Sequence, residues 1–200
     1  MFDRIALKIS KPAIDMAARQ IEKWGFDAVQ VTVAAFILGI MAALLIAAGF
    51  THVAILPLLL GRLLDGLDGA VARLTAPTDR GAFLDITLDF LFYAAVPLAF
   101  ATVDPVAAAV LLAAFIGTGI SFLAYAIIAE KRGEKSTVYP SKSFYYLGGL
   151  TEGAETVACF VAMCLWPQHF AVLAYIYASL CAVTTLTRLH AGWVDFVTKS

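Results

Sequence analysis

Long apolar runs dominate the chain and return at nearly regular intervals. Six of them approach the roughly 20 residues that a helix needs to cross a bilayer. They cover residues 28–49, 52–74, 82–103, 105–129, 143–165 and 168–190. We therefore predict an all-α integral membrane protein in which residues 27–200 form one domain with six transmembrane helices.

A helix with one apolar face is predicted ahead of the first run. Pro12 is compatible with the first turn of a helix. Between residues 12 and 24, one face of the helix collects the apolar side chains Ile14, Ala17, Ala18, Ile21 and Trp24. Residues 1–26 are accordingly predicted to form a cytoplasmic segment whose amphipathic helix lies on the surface of the bilayer.

Composition supports a membrane protein whose partners are lipids. Hydrophobic residues make up 62% of the chain and charged residues only 14%, which is far from the average of soluble proteins. The net charge is −1, and the absence of a basic run gives no indication of a nucleic-acid partner. The three cysteines have no zinc-like spacing and are interpreted as buried packing residues.

The positions of lysine and arginine give an orientation. Basic residues precede the first span and lie between spans two and three, between spans four and five, and after span six. The turns around residues 49–52, 103–105 and 166–169 carry neither lysine nor arginine. By the positive-inside rule, both termini are predicted to be cytoplasmic, in the inner membrane if the protein is bacterial.

Aspartates interrupt the second and third spans. Asp65 and Asp68 share one face of the second span, and Asp85 and Asp89 share one face of the third. Each aspartate at membrane depth costs about 2.5–3.5 kcal/mol on insertion scales, so such residues are retained mainly for function. The short connection predicts that the two helices are antiparallel neighbours and that the four carboxylates converge.

Converging carboxylates repel one another unless a cation neutralises them. Oxygen ligands without a nearby histidine or cysteine favour Mg²⁺, Mn²⁺ or Ca²⁺, and four acids suffice for two ions that clamp a transferring phosphoryl group. Gly66, Gly69 and Gly81 leave room for phosphates to approach the backbone. Arg73 is a candidate partner for a phosphate or a base.

The same residues resemble the signature of the CDP-alcohol phosphotransferases, D-x-x-D-G-x-x-A-R followed by G-x-x-x-D-x-x-x-D. All eight positions match: Asp65, Asp68, Gly69, Ala72, Arg73, Gly81, Asp85 and Asp89. Residues 74–80 separate the arginine from the glycine, one residue fewer than in the common form. Of an Asn-x-x-Thr pattern that often opens the first span in this family, the chain keeps only Thr32.

The resemblance implies a reaction and roles for these residues. A substituted phosphate group, such as phosphatidyl, passes from a CDP-activated lipid such as CDP-diacylglycerol to a small alcohol, and CMP leaves. Asp65, Asp68 and Asp85 would bind metal, Mg²⁺ or Mn²⁺ and two ions in all, with Asp89 as a further ligand and the general base. Gly66, Gly69, Ala72, Arg73, Gly81 and Thr32 would contact the nucleotide part of the donor. The resemblance also implies a homodimer.

The acceptor alcohol is less defined, because its candidate ligands are scattered. These are the intramembrane acids Glu152 and Glu155 together with Lys135, Lys142 and Arg188. Family members that use inositol phosphate tend to have arginines where this chain reads TEGAET, which argues against a phosphorylated inositol. Interhelical hydrogen bonding or a dimer contact is the alternative role for the two glutamates, and contact with anionic lipid is the alternative role for the two lysines.

A cation or proton transporter is the alternative function, because acids within spans also line ion pathways. Transport predicts carboxylates at several depths toward both faces of the membrane. The motif acids of this chain instead cluster in its predicted cytoplasmic half, which favours the phosphotransferase.

Overall fold

The computed structural model describes residues 3–133 and 150–197. Every regular element within these ranges is helical, which confirms the all-α prediction. The α-helices are α1 (Asp3–Lys23), α2 (Ala28–Ala47), α3 (Thr51–Thr75), α4 (Asp79–Ala99), α5 (Pro105–Lys131), α6 (Gly153–Leu165) and α7 (Phe170–Asp195). Short 3-10 turns follow α4 at Phe100–Thr102 and precede α7 at Pro167–His169.

Four helical stretches are long and apolar enough to cross a membrane: Ala28–Ala47, Asp79–Thr102, Pro105–Lys131 and Pro167–Asp195. Helix α3 has the necessary length but carries Arg62, Asp65, Asp68 and Arg73. Helix α6 has 13 residues, and residues 143–149 of the fifth predicted span lie outside the described residues. The count of six spans therefore stays a prediction.

Side-chain caps fix where several helices begin. Helix α2 opens with a reciprocal pair, in which the Gln30 backbone N–H donates to Asp27 Oδ1 at 2.8 Å and the Asp27 N–H donates to Gln30 Oε1 at 3.0 Å. Helix α5 opens where Asp104 Oδ1 accepts from the N–H groups of Val106 and Ala107. These caps lie at the edges of the apolar runs, so the predicted starts of the first and fourth spans coincide with the starts of α2 and α5.

Buried aromatic side chains tie α4, α6 and α7 together. Phe92, Phe100, Phe160 and Phe170 have no exposed surface, and the rings of Phe100 and Phe170 stack with centroids 4.6 Å apart. Large apolar side chains such as Ile37, Leu44, Leu56 and Ile176 are exposed on the outside. An apolar exterior of this extent suits lipid better than water.

Helices α3 and α4 both pack against α2, and neither packs extensively against the other. The two helices are neighbours in the chain but make little direct contact with each other. The connection between them is only residues 76–78, and Ala76 closes it at a φ of 83°, a conformation that residues with a side chain rarely adopt. The two helices diverge from this tight turn, which leaves a space between the faces that carry the aspartates.

Helix α1 differs from its prediction at the start. It begins at Asp3, so Pro12 lies inside the helix and not in the first turn. Residues 3–11 contain no glycine or further proline that would stop the helix. Ile14, Ala18 and Ile21 pack with Leu64 of α3 and other apolar side chains of α2 and α3. Part of the apolar face thus contacts protein, and the position of α1 at the bilayer surface stays a prediction.

Candidate active site

A cavity of about 980 Å³ occupies the space between the diverging helices α3 and α4. Side chains from α1, α3, α4, α5 and α7 line it, together with residues 151–153 and Thr156 near the start of α6. All four motif aspartates lie on its wall. The predicted convergence of the carboxylates is therefore observed, although across a cavity and not across a helix–helix contact.

Three of the aspartates form a compact oxygen cluster. Asp65, Asp68 and Asp85 each place a carboxylate oxygen within 4.8 Å of the other two. Asp68 is 5% exposed, and Asp65 and Asp85 are half-buried. Three carboxylates this close need a positive charge between them, and this donor set fits Mg²⁺ or Mn²⁺.

Thr32 of α2 supports this cluster from behind. Its hydroxyl donates to Asp68 Oδ2 at 2.6 Å, and the carbonyl of Ala28, at 2.9 Å, is the competing acceptor for the same proton. Thr32 is buried and is not among the residues on the cavity wall. The structure therefore places Thr32 against a metal-ligand candidate, and its contact with the nucleotide stays a prediction.

Asp89 lies outside the compact cluster and pairs with an arginine. Arg62 Nη1 donates to Asp89 Oδ1 at 2.5 Å and lies 3.3 Å from Asp65 Oδ2. The Arg62 side chain is 10% exposed, and its Cζ lies 3.9 Å from the centroid of the Phe92 ring. One arginine thus links an aspartate of α3 to an aspartate of α4.

Sequence reasoning did not include Arg62 among the site residues. The sequence did contain an indication of its role. An arginine within a predicted span costs about as much free energy at membrane depth as an aspartate does, and Arg62 lies one helical turn before Asp65. The residue three positions before the first motif aspartate shares its helix face. Its ion-pair partner on α4, Asp89, could not be predicted in the same way, because the pairing depends on how far α3 and α4 diverge.

The glycines have two different surroundings. A Cβ on Gly66 would meet no atom within 4 Å, and one on Gly69 would meet only Arg73 Nη1 at 3.7 Å. Both glycines and Arg73 line the cavity, so α3 offers a bare backbone to a bound group. Gly81 instead donates its N–H to the Thr78 hydroxyl that caps α4. Gly81 and Ala72 are not among the residues that line the cavity.

The other end of the cavity carries the acceptor candidates that the structure describes. Glu152 and Arg188 are buried and line the wall, and Arg188 Nη1 donates to the carbonyl of Thr118 at 3.0 Å. Thr151 and Thr156 lie beside them. Glu155 is half-buried and does not line the cavity. Lys135 and Lys142 lie outside the described residues.

An apolar wall joins the two ends. It consists of side chains from α4 and α5, among them Ile86, Phe90, Leu112, Phe115, Ile116, Ile120 and Leu123. Gly119 lets Phe90 approach α5 closely, since a Cβ at this position would lie 2.6 Å from the Phe90 ring. The cavity therefore combines an anionic, metal-compatible part with a surface suited to hydrocarbon chains.

Residues 28–190 match the family model described as CDP-alcohol phosphatidyltransferase. The chain belongs to this family. The match includes all four motif aspartates and Arg188, so most of the cavity wall of this phosphatidyltransferase, apart from the residues of α1, lies in the region that defines the family.

A similar protein from Escherichia coli indicates the membrane in which this chain lies. The chain is 47% identical over 198 residues to the "Inner membrane protein YnjF" of Escherichia coli (strain K12), with 97% of this chain and 96% of the relative covered. The apolar helices and this relative together indicate a multi-pass inner-membrane phosphatidyltransferase.

Solved structures share the fold. The phosphatidylinositol phosphate synthase PgsA1 of Mycobacterium tuberculosis, crystallised with CDP-DAG, superposes with a TM-score of 0.71 at 23% identity, covering 90% of this chain and 93% of that one. The same synthase with manganese and citrate gives a TM-score of 0.65 at 22% identity, covering 90% and 88%. Membership of the phosphatidyltransferase family makes the chain a metal-binding transferase of phospholipid biosynthesis.

Proposed function

We propose that this protein transfers a phosphatidyl group from a CDP-activated lipid, such as CDP-diacylglycerol, to a small alcohol and releases CMP. The observation that carries this proposal is the position of the three clustered carboxylates on a cavity that continues along an apolar wall. A donor of this kind has a charged pyrophosphate joined to hydrocarbon chains, and the two parts of the cavity match these two parts.

The donor headgroup is assigned to the α3 side of the cavity. Gly66 and Gly69 leave the backbone open there, and Arg73 lies one turn further along the same helix. The arginine guanidinium is suited to pair with phosphate oxygens. The PgsA1 structure with CDP-DAG bound supports a donor of this class in the same fold.

Asp65, Asp68 and Asp85 are proposed to hold a divalent ion, Mg²⁺ or Mn²⁺. When bound, such an ion would neutralise the pyrophosphate and make its phosphorus more open to attack. The residues fit this role, because a carboxylate oxygen from each lies within 4.8 Å of the other two and Thr32 steadies Asp68. The presence of manganese in a PgsA1 structure supports the choice of metal class.

Asp89 is proposed as the general base. Its carboxylate lies on the cavity wall and takes the proton of the acceptor hydroxyl, as general bases do when within hydrogen-bond reach. The acceptor oxygen then forms a bond to the β-phosphorus, and the bond from this phosphorus to the bridging oxygen breaks. The bridging oxygen leaves with CMP, whose negative charge faces Arg73.

The acceptor is assigned to the end of the cavity lined by Thr151, Glu152, Thr156 and Arg188. Hydroxyl and carboxylate oxygens accept hydrogen bonds from an alcohol or an amine, and Arg188 adds one positive charge. Serine, glycerol phosphate, inositol and choline remain the acceptors to test, with inositol phosphate as the disfavoured one. Lys135 and Lys142 stay candidates for this end.

A cation or proton transporter has less support. Transport requires carboxylates along a path through the membrane, whereas the motif acids share one cavity wall. Family membership also favours the transferase. We therefore do not propose a transport function for these aspartates.

The test is CMP release from CDP-diacylglycerol by the purified protein with Mg²⁺ or Mn²⁺. Serine, glycerol phosphate, inositol, inositol phosphate and choline are supplied one at a time. We expect release with one acceptor and loss of that release in EDTA. Failure to bind the CDP-lipid, together with silence toward all five acceptors, would contradict the proposal.

Asp89→Asn tests the general base. It removes the proton acceptor at nearly constant volume, so we expect kcat to fall by about 10²–10⁴-fold, while the affinity for CDP-diacylglycerol measured in a binding assay stays largely unchanged. Asp79→Asn is the matched control, because Asp79 is exposed in the first turn of α4 and is not on the cavity wall. Near-normal turnover by Asp89→Asn would show that another group takes the proton.

A further inference from the structure

The hydroxyl of Tyr93 lies on the cavity wall at the place where α4 faces the start of α6. A Cβ at Gly153, the first residue of α6, would lie 3.5 Å from the Tyr93 hydroxyl oxygen, and both residues line the cavity. Glu152 lies next to them on the same wall. The Tyr93 hydroxyl is therefore a polar group at the acceptor end to which the proposed reaction gives no role.

Three phenylalanine rings hold the Tyr93 ring in place. Its centroid lies 5.3 Å from that of Phe92 and 6.3 Å from those of Phe115 on α5 and Phe160 on α6. A phenylalanine at position 93 would pack equally well in this cluster, so packing does not explain the hydroxyl. The hydroxyl of an enclosed tyrosine usually has a hydrogen-bond partner, and this one is fixed at a single point of the cavity wall.

Arg62 also approaches the Tyr93 side chain, with its guanidinium carbon 5.6 Å from the ring centroid. An arginine side chain only donates hydrogen bonds, whereas a phenol hydroxyl both accepts and donates. This neighbour therefore leaves the proton of the Tyr93 hydroxyl available to a bound molecule.

Tyr93 lies between the proposed general base and the proposed acceptor end. It follows Asp89 by four residues on α4, so the two side chains share one helix face and are about 6 Å apart along the helix axis. The segment that it faces is tied to α7, because the Thr151 hydroxyl donates to Thr184 Oγ1 at 3.1 Å. A small alcohol whose reacting hydroxyl is at Asp89 and whose other end is at Thr151 and Glu152 would pass beside Tyr93.

We propose that the Tyr93 hydroxyl binds the acceptor alcohol through a hydrogen bond to a second polar group near the reacting hydroxyl. This inference rests on the proposed function, because it assumes that the acceptor binds at this end and reacts at Asp89. It defines a class of acceptor, namely small alcohols with a further oxygen or nitrogen that can form a hydrogen bond. Serine, inositol and glycerol phosphate have such a group, whereas the trimethylammonium group of choline has no N–H and no lone pair.

Tyr93→Phe tests the hydrogen bond alone, because it removes the hydroxyl and keeps the ring among the phenylalanines. CMP release is measured with full-length wild type and Tyr93→Phe in nanodiscs, with Mn²⁺, CDP-diacylglycerol and each of the five alcohols. We expect the KM for the alcohol that wild type uses to rise about threefold to tenfold in Tyr93→Phe, as for the loss of one hydrogen bond. The kcat and the KM for CDP-diacylglycerol should stay nearly unchanged, since the lost contact is made equally in the bound substrate and in the transition state.

Gly153→Ala tests the same place from the other side of the cavity. Its methyl group would lie 3.5 Å from the Tyr93 hydroxyl oxygen, which is an ordinary contact, so the fold should persist while the space beside the hydroxyl narrows. The KM for the acceptor should rise, and the double variant should raise it by less than the product of the two single effects, because both changes act on one contact.

Tyr125→Phe is the matched control. It removes a buried tyrosine hydroxyl that donates to Asp195 Oδ2 at 2.6 Å, and Tyr125 is not among the residues that line the cavity. Its KM for the acceptor should equal that of wild type. If Tyr93→Phe does not fold, as judged by thermal melting and size-exclusion chromatography, Gly153→Ala is compared with Tyr125→Phe in its place.

The outcomes separate this inference from the proposed function. An unchanged acceptor KM in Tyr93→Phe, an equal rise in the KM for CDP-diacylglycerol, or choline as the alcohol used would overturn the role of Tyr93 and leave the proposed function intact. If wild type binds CDP-diacylglycerol without turnover, the rise in melting temperature caused by each alcohol replaces KM, and a rise that is absent, or equal in Tyr93→Phe, overturns the inference. Failure of wild type to bind CDP-diacylglycerol and to release CMP would overturn the proposed function as well.

Discussion

Thr32 shows how a residue outside the cavity can control its chemistry. Its hydroxyl donates to Asp68 Oδ2 at 2.6 Å, so it orients a carboxylate that belongs to the metal-binding cluster. Loss of such a supporting hydrogen bond typically lowers metal affinity by about 10–100-fold. We expect Thr32→Val to weaken Mn²⁺ binding by this factor, measured by titration of the purified protein.

Thr32→Ser is the matched variant, because it keeps the hydroxyl and loses only a methyl group. It should bind Mn²⁺ with an affinity close to that of wild type. If Thr32→Val and Thr32→Ser weakened binding equally, packing between α2 and α3 and not the hydrogen bond would be the function of Thr32.

The four aspartates could be found from sequence because their cost in a membrane makes them conspicuous. Their division into a cluster of three and a separate Asp89 could not be predicted from the sequence. That division depends on the three-dimensional arrangement of α3 and α4, in which Arg62 pairs with both Asp65 and Asp89. Glu152 and Glu155 show the same limit, since three residues of separation did not reveal that only Glu152 lines the cavity.

Helix α3 packs against α2 with one face and lines the cavity with another, and each face contains a glycine. Gly61 lets α2 approach, because a Cβ at this position would lie 2.9 Å from the carbonyl oxygen of Ala35. Gly66 faces the cavity, where a Cβ would meet no atom within 4 Å. The same substitution should therefore have opposite consequences at the two positions.

Gly66→Ala should leave the fold intact, and alanine favours a helix by about 0.5–1 kcal/mol over glycine. We expect an unchanged or higher melting temperature and a raised KM for CDP-diacylglycerol, because the new methyl group enters the space assigned to the donor. Gly61→Ala should lower the melting temperature instead, since α2 would have to move. An unchanged KM for Gly66→Ala would show that the donor does not approach this part of α3.

The boundaries of the helices were more accessible to sequence reasoning than their packing. Apolar runs and capping residues such as Asp27 and Asp104 fixed the starts of α2 and α5 locally. The divergence of α3 and α4 is set by their common packing on α2, which periodicity within either helix does not encode. The long start of α1 was missed because Pro12 was interpreted as a first-turn residue.

For the molecule as a whole, the number of spans depends on how α3 and α6 are placed. The four apolar stretches that qualify as spans leave out α3, with its charged residues, and the short α6. The charged residues of α3 between Arg62 and Asp68 participate in the cavity and its ion pairs, so they need not face lipid. Since intramembrane charges are tolerated on such interior faces, we retain six spans as the prediction.

Terminal tags cannot test this prediction, because four spans and six spans both place the two termini on the same side. The connections between helices do discriminate. With a cytoplasmic N-terminus, six spans put Thr78 and Gly133 in the cytoplasm and Asp104 on the far side, whereas crossing by α2, α4, α5 and α7 alone reverses all three.

The experiment introduces a single cysteine at each position, after the native cysteines are replaced, and labels intact cells with a membrane-impermeant maleimide. We expect labelling at Asp104→Cys and protection at Thr78→Cys and Gly133→Cys until the cells are opened. The reverse pattern would establish four spans and would move the aspartate cavity toward the other face of the membrane.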